Sequence, residues 1–311
     1  MTLTELRYIV AVAREKHFGR AAEACFVSQP TLSVAVKKLE DELDVKLFER
    51  GSTEISVTPL GEEIVRQAQA VIEQAASIKE IAKRGKDPLS GPLRLGIIYT
   101  IGPYLLPDLV RHAIEMFSQM PLMLQEHFTT KLLDMLRTGD LDAAIMAEPF
   151  PDTGLAVAPL YDEPFVVAAP ATHPLSRRER ISSEELKEET MLLLGTGHCF
   201  RDHVLEVCPE YARFSSHAEG IRKSFEGSSL ETIKHMVASG MGLTVLPQLS
   251  VPAEPLAPQN QHVRYVPFAD PVPTRRVVLA WRRTFTRYEA IAALRNAVYA
   301  CKLDGVKRLS T

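Results

Sequence analysis

Residues 58 to 86 decide how this chain is laid out. Thr58 reads as an N-cap, and Pro59 occupies the first turn, where its missing N–H costs nothing. Ile64, Ala68, Val71, Ala75, Ile78 and Ala82 follow at gaps of 4, 3, 4, 3 and 4. That spacing draws one apolar seam along one long helix, and the natural use of a heptad seam is dimerisation. "RGKDPLSGP" ends the helix and reads as a hinge. Residues 59–90 therefore separate a short N-terminal unit from a long C-terminal one.

The N-terminal unit, 1–58, reads as short helices followed by a hairpin. Thr4 is the expected N-cap of a helix with a Leu6, Ile9, Val10, Ala13 stripe, which Phe18-Gly19 interrupts. "RAAEAC" reads as a second helix, packed through Ala21, Ala22 and Cys25. Ser28 caps a third, "QPTLSVAVKKLEDEL", with Pro30 in its first turn and Leu32, Ala35, Val36, Leu39 and Leu43 on its buried face. "VKLFER" and "ISVT" then form the two strands of a wing around "GSTE". Helix, tight turn, helix and wing predict a winged helix-turn-helix.

Such a recognition helix offers its N-terminal side chains to base edges. Gln29 can pair bidentately with adenine, and Thr31 and Ser33 can hydrogen-bond or touch a thymine methyl. Lys37 and Lys38 can neutralise phosphates, and Arg50 on the wing can reach the backbone or the minor groove. Taken singly, Ser28 is a cap and the lysine pair a solvated face. Bulk charge adds nothing: residues 1–60 hold eight Lys and Arg against nine Asp and Glu, and the whole chain carries −3.

Residues 91–311 alternate apolar strands with helical stretches. "LRLGII", "LMLQEHF", "AAIMA", "FVVAAP", "MLLL", "LTVLP" and "RRVVLAW" are expected strands; helices are expected near 103–118, 130–138, 229–239 and 285–302. This predicts an α/β unit of two subdomains with a cleft between them, 91–162 with 268–300 and 163–267. With 46% apolar and 24% charged residues the composition is that of a soluble globular protein. The opening residues are broken by Arg7, Arg14, Glu15 and Lys16 and fit neither a signal peptide nor a membrane anchor, so the cytoplasm is the expected location. No cofactor or metal motif stands out.

The stretch "AAEACFVSQPTLSVAVKKLEDELDVKLFER" resembles the N-terminal signature of LysR-type transcriptional regulators. Ala21-Ala22, Ser28-Gln29-Pro30, Ser33, Leu39-Glu40, Leu43, Leu47-Phe48 and Arg50 carry the match. The resemblance implies a full-length layout of wing, linker helix and two-lobed, periplasmic-binding-protein-like effector domain. It also implies double-stranded operator DNA as partner, contact with RNA polymerase, and a homotetramer built as a dimer of dimers. Two positions depart from the pattern. Cys25 stands where leucine is common, a swap for a smaller apolar group. Asp44 replaces the usual glycine after Leu43, and Asp tolerates a left-handed turn better than most residues.

"GTGHCFRDHVLEVCPE", 195–210, holds two of only four cysteines, Cys199 and Cys208. Their spacing is too wide for a CxxC metal knuckle or redox pair. Cys25 and Cys301 lack comparable surroundings and read as structural; two buried apolar thiols is the plain reading of the pair as well. Within the LysR-type family, however, "GHCFRDHVLEVC" resembles the hydrogen-peroxide-sensing, OxyR-type regulators, as do "IYTIGPYLLP" and "SLETIKHMVASGMGLTVLP". The resemblance implies that peroxide oxidises Cys199 and that Cys208 resolves it into an intramolecular disulfide, later reduced by glutaredoxin with glutathione or by thioredoxin. It adds Thr100 and Thr129 as pocket hydroxyls, with Thr130 an alternative to Thr129, and Asp202 as a polar partner.

Helix geometry bears on that pairing. Nine helical steps of ~1.5 Å place the two residues ~13 Å apart on opposite faces. A disulfide needs Cα atoms within about 7 Å, so helix and disulfide exclude each other. Pro209 disfavours helix at Cys208 and limits what must melt. Cys199 is expected in the first turn of a helix behind Gly197-His198, where N–H groups and dipole favour a thiolate and Arg201 adds positive charge. His198 either donates a hydrogen bond or shuttles a proton there, or simply packs the turn. Two rivals remain at this level. One is a LysR-type regulator whose effector is a small organic molecule in the cleft; the other, a thiol peroxidase, gives no purpose to the winged helix. The chain is not expected to be an enzyme.

Overall fold

A computed structural model describes residues 1–50, 55–83, 89–151, 154–213, 224–254 and 261–309. Helix α1 (Leu3–Glu15) is capped by Thr2 rather than by Thr4. The Thr2 hydroxyl accepts the Glu5 N–H at 3.2 Å, and the Glu5 carboxylate accepts the Thr2 N–H at 2.7 Å. This reciprocal box satisfies two otherwise unpaired donors, an advantage that Thr4 lacks. The chain breaks at Lys16, which takes φ 50, and not at Phe18-Gly19. His17 then caps α2 (Phe18–Ala24) by accepting the N–H groups of Gly19 and Arg20 on its Nδ1.

Ser28 caps α3 (Gln29–Leu43), which ends at Asp44 in the left-handed region, φ 52. Strands β1 (Phe48–Arg50) and β2 (Ile55–Val57) pair antiparallel as the wing; the turn at 51–54 lies outside the described residues. Helix α4 (Pro59–Lys83) follows. The expected continuation to 86 and the start of the hinge also lie outside the described residues. Ile64, Val65, Ala68 and Ile72 of α4 pack with Leu6, Ile9, Val12 and Leu32 in the N-terminal core. Ile64 and Ala68 of the apolar seam are thus spent inside the domain, whereas Val71 and Ile78 stay exposed at 38% and 69%.

The C-terminal unit runs β3 (Leu93–Ile98), α5 (Gly102–Met116), β4 (Leu122–His127), α6 (Thr129–Thr138), β5 (Ala143–Glu148) and the long β6 (Leu155–Pro170). It continues through α7 (Ser183–Leu186), β7 (Met191–Leu194), α8 (Cys199–Val207), β8 (Ser224–Gly227), α9 (Leu230–Ala238) and β9 (Thr244–Pro247). It closes with β10 (Val263–Pro267), β11 (Thr274–Arg282), α10 (Tyr288–Ala300) and β12 (Lys307–Arg308). The main sheet has the order β10–β6–β11–β5–β3–β4, with β3 parallel to both β4 and β5 and β11 antiparallel to β5 and β6.

Only the second half of β6 was legible in advance. Pro159 and Pro164 argue against a strand through "LAVAPLYDEP". The register against β11 shifts between Val277 and Val278, so Leu160 is an extra residue, and a bulge is one place where a strand tolerates proline. β10, a short edge strand, was also not anticipated.

β6 crosses between two cores. Its first half belongs with Leu95, Ile97, Leu132, Ile145, Leu279 and Leu294; residues 165–169 belong with Met191, Leu193, Phe200, Val204, Ile233 and Leu246. Helix α8 spans the two: Phe200, Val204 and Cys208 are buried in the second core, and Cys199 packs against the first. The linker helix is tied to the first lobe by Glu73, whose carboxylate accepts from Arg282 Nε at 2.7 Å and from the Thr284 hydroxyl at 3.0 Å. Arg282 ends β11 and also donates to the carbonyls of Leu136 and Leu141. No helix among the described residues is long and apolar enough to cross a membrane.

Candidate functional site

Strands β3 and β4 run parallel with Ile98 opposite His127. The segments leaving their C-terminal ends carry Tyr99-Thr100 and Phe128-Thr129, the usual place for a ligand in such a sheet. From the other lobe, β7 leads through Gly195–His198 to Cys199, the first residue of α8. Gly197 makes this turn at φ 97, and a Cβ there would meet the Phe128 ring at 3.4 Å. Ile98, Thr100, Phe128, Thr129, His198 and Cys199 enclose a small pocket. It leaves about 10 Å³ for the centre of a water-sized molecule, the room of about one such molecule.

Thr100 and Thr129 are both buried in this pocket, whereas Thr130 faces solvent. The Thr129 hydroxyl has no hydrogen bond of good geometry, and its proximity to the Cys199 sulfur favours the thiolate. His198 is buried and edge-on to Phe128, at 4.8 Å between centroids. Burial lowers its pKa and keeps the imidazole neutral at physiological pH. Arg201 and Asp202 stand in the first turn of α8. Arg201 is buried with Nη1 donating to the Leu194 carbonyl at 2.8 Å, and Asp202 is exposed. The Arg275 guanidinium favours ionisation of Cys199, and the Asp202 charge opposes it.

Arg275 and Glu163 are the parts of the site that sequence reasoning missed. Both are essentially inaccessible, with Arg275 Nε donating to Glu163 Oε2 at 2.8 Å. Nη1 donates to the Thr100 hydroxyl at 2.8 Å and Nη2 to the Thr100 carbonyl at 3.0 Å. Glu163 Oε1 accepts the Leu249 N–H at 2.8 Å, and the Phe200 ring lies 5.1 Å from the guanidinium carbon. A signal was present: along "TRRVVL" the period of two places Arg275 with Val277 inside and Arg276 outside, where it pairs with Asp162. His203, also missed, hydrogen-bonds the Glu148 carbonyl through Nε2 at 2.8 Å.

Burial decides the ionisation of Cys199. It holds the thiol above its ordinary value of 9.0, although the Thr129 hydroxyl and the Arg275 charge pull the other way. Desolvation thus opposes the favourable field expected from the helix N-terminus. Cys208 caps the C-terminal end of α8 outside helical geometry, φ −130 and ψ 73, and is fully buried. Its thiol is pushed up to about 12 by burial. The two thiols therefore face different cores from opposite ends of one helix.

On the N-terminal domain, Ser28, Gln29, Pro30 and Thr31 are exposed at the start of α3, with Ser33 half-buried. The Ser28 hydroxyl accepts the Thr31 N–H at 3.3 Å and lies 2.7 Å from the Thr31 hydroxyl. Lys37 is exposed, but Lys38 reaches back to Glu5 at 3.2 Å, so its ammonium is already paired within the domain. The side chain of Arg50 lies outside the described residues. Val34, 67% exposed and one turn from Thr31 and Lys37, adds an apolar contact of the kind that suits a thymine methyl. It was overlooked because an apolar residue inside a helix reads as core.

Known proteins resemble this chain in sequence and fold. The profile "Bacterial regulatory helix-turn-helix protein, lysR family" matches residues 3–62, and "LysR substrate binding domain" matches 86–300. The "Hydrogen peroxide-inducible genes activator" of Pectobacterium carotovorum subsp. carotovorum is 40% identical over 295 residues, covering 94% of this chain and 95% of that protein. Full-length OxyR from Pseudomonas aeruginosa, solved as a cysteine-to-aspartate variant, superposes with a TM-score of 0.78 at 51% identity, covering 100% and 98% of the two chains. A Corynebacterium glutamicum OxyR cysteine-to-serine variant, solved with hydrogen peroxide bound, gives 0.63 at 34% identity over 96% and 91%. The chain is a member of the LysR family and, within it, of the OxyR group of transcription regulators.

Proposed function

We propose that this chain is a DNA-binding transcriptional regulator switched by hydrogen peroxide through Cys199 and Cys208. The observation that carries the reading is the placement of the two thiols at opposite ends of α8, one beside a water-sized pocket and one in the second core. The Cys199 thiolate attacks one peroxide oxygen; the S–O bond forms as the O–O bond breaks. Sulfur is oxidised to a sulfenic acid, and the departing hydroxide takes a proton and leaves as water. The Cys208 thiol then attacks the sulfenic sulfur. An S–S bond replaces the S–O bond, and a second water is released.

Arg275, Thr100 and Thr129 act before and during the first step. The guanidinium charge and the Thr129 hydroxyl favour the thiolate against desolvation, and Thr100, anchored by Arg275, presents its hydroxyl to the pocket. The second step requires α8 to unwind, because ~13 Å of helix must become less than about 7 Å. A nine-residue helix is too short to be stable alone, so packing of Phe200 and Val204 holds it. Each such side chain contributes about 1.5–3 kcal/mol of burial, a cost that disulfide formation must offset.

β11 links this site to the DNA-binding half. Arg275 stands near its start, and Arg282 at its end grips Glu73 on the linker helix. Oxidation repacks the effector lobes, shifts α4 and changes the spacing of paired winged domains. The exposed Val71 and Ile78 provide the dimer seam, and the full assembly is a dimer of dimers working in the cytoplasm on operator DNA with RNA polymerase. Thioredoxin or glutaredoxin with glutathione resets the disulfide. The same tight pocket argues against an organic effector at this site, and a regulator reacts once per signal where a thiol peroxidase turns over.

Non-reducing peptide mapping after brief peroxide exposure should give a new Cys199–Cys208 link ahead of any other thiol change. Cys208→Ser should stop at the sulfenic acid and retain the reduced DNA footprint. A Cys208→Ser protein giving the oxidised parent's footprint after peroxide would refute the disulfide as the switch.

A further inference from the structure

The pocket at Cys199 has two layers. Inside are the hydroxyls of Thr100 and Thr129, 3% and 8% exposed. Nearer the surface are Tyr99 and Phe128, 38% and 37% exposed, with His198 buried beside them. The three rings pack edge to face: Tyr99 to Phe128 at 5.3 Å, Phe128 to His198 at 4.8 Å and Tyr99 to His198 at 5.9 Å. Phe128 also lies against Gly197, where a methyl group would be in van der Waals contact with the ring. Neither Tyr99 nor Phe128 takes part in the ionisation of Cys199 described above, so the mechanism leaves them without a role.

We infer that the Tyr99–Phe128–His198 cluster is a fixed aromatic lid that makes the pocket selective for hydrogen peroxide over organic hydroperoxides. The inference rests on the peroxide reading of Cys199. The chemistry at sulfur is the same for either oxidant: attack on the terminal oxygen breaks the O–O bond and gives a sulfenic acid plus water or an alcohol. Only the space beyond the second oxygen differs. The pocket beside Cys199 has room for about one water-sized molecule and is lined by all three rings, so a branched or aryl substituent on the second oxygen must press against them. Edge-to-face packing holds the rings to one another, and two of the rings belong to segments leaving adjacent strands. The lid therefore resists displacement by a bulky substituent.

The test uses the full chain and two oxidants, hydrogen peroxide and cumene hydroperoxide. Loss of the Cys199 thiol is followed by quenching, alkylation and mass spectrometry. Phe128→Ala should raise the cumene-to-hydrogen-peroxide rate ratio by about tenfold or more, the scale of a lost steric contact in a pocket. Tyr99→Ala should raise it in the same direction, and Phe128→Leu, which keeps bulk, should stay close to the parent. A ratio unchanged within twofold in both alanine variants removes the lid, as does an equal rise of both rates, since selectivity would then lie elsewhere. A parent chain whose Cys199 reacts with hydrogen peroxide no faster than free cysteine overturns the peroxide reading itself. A parent that reacts quickly but keeps the same ratio in every variant overturns the lid alone.

Discussion

Arg275 donates from Nη1 to the Thr100 hydroxyl at 2.8 Å, joining strand β11 to the pocket floor beside Cys199. The same guanidinium neutralises Glu163 inside the protein, so one residue serves both the charge balance of the fold and the ionisation of the thiol.

Removing that guanidinium should therefore have two effects. Arg275→Gln leaves Glu163 buried without its ion partner, and breaking a buried pair in this way costs about 3–5 kcal/mol. It should also slow Cys199 oxidation, because a charge that favours the thiolate is gone. Urea unfolding reads the first effect and thiol-loss kinetics the second. An unchanged oxidation rate in folded Arg275→Gln protein would remove Arg275 from the chemistry.

The two neighbouring threonines should separate cleanly. Thr129→Val removes a buried hydroxyl that lacks a good partner, so stability should hold or rise by up to about 1 kcal/mol. Oxidation of Cys199 should nevertheless slow, because a group favouring the thiolate is gone. Thr130→Val, at an exposed position, should change neither thermal unfolding nor peroxide kinetics.

Stability should fall in alkali partly through Cys208. Its thiol is raised from the ordinary 9.0 to about 12 in the folded chain. Below pH 9 both states hold the proton and the contribution is complete. Between pH 9 and about 12 the unfolded chain ionises while the folded one cannot, so stability is lost as pH rises. Urea midpoints across that range should decline less steeply for Cys208→Ala than for the parent under reducing conditions. Parallel declines would contradict a strongly raised thiol.

The lysine pair on α3 should divide by partner. Lys37→Ala should weaken binding to all DNA sequences and reduce the slope of log affinity against log salt by about one. Lys38→Ala should instead cost a few tenths of a kcal/mol and at most about 1 kcal/mol of stability, since its exposed ammonium pairs with Glu5 and holds that carboxyl below its usual range. Fluorescence anisotropy over a salt series and thermal unfolding distinguish the two.

Much of this protein was determined by local sequence. The capped third helix, the Pro59 start of the linker and the apolar strands follow from periodicity and turn chemistry, which act over a few residues and need no tertiary partner. The position of Cys199 at the start of a helix ending before Cys208 was legible for the same reason. Folding was needed wherever a choice depended on distant groups. The capping box selected Thr2 over Thr4, a bulge admitted Pro159 into β6, and Glu5 claimed Lys38. Most of all, only the packed structure could bring Glu163, Arg275 and Thr100 together, across up to 175 residues of chain, and seal them from water. Desolvation and charge at Cys199 are sums over neighbours in space, so its ionisation was decided by the tertiary structure.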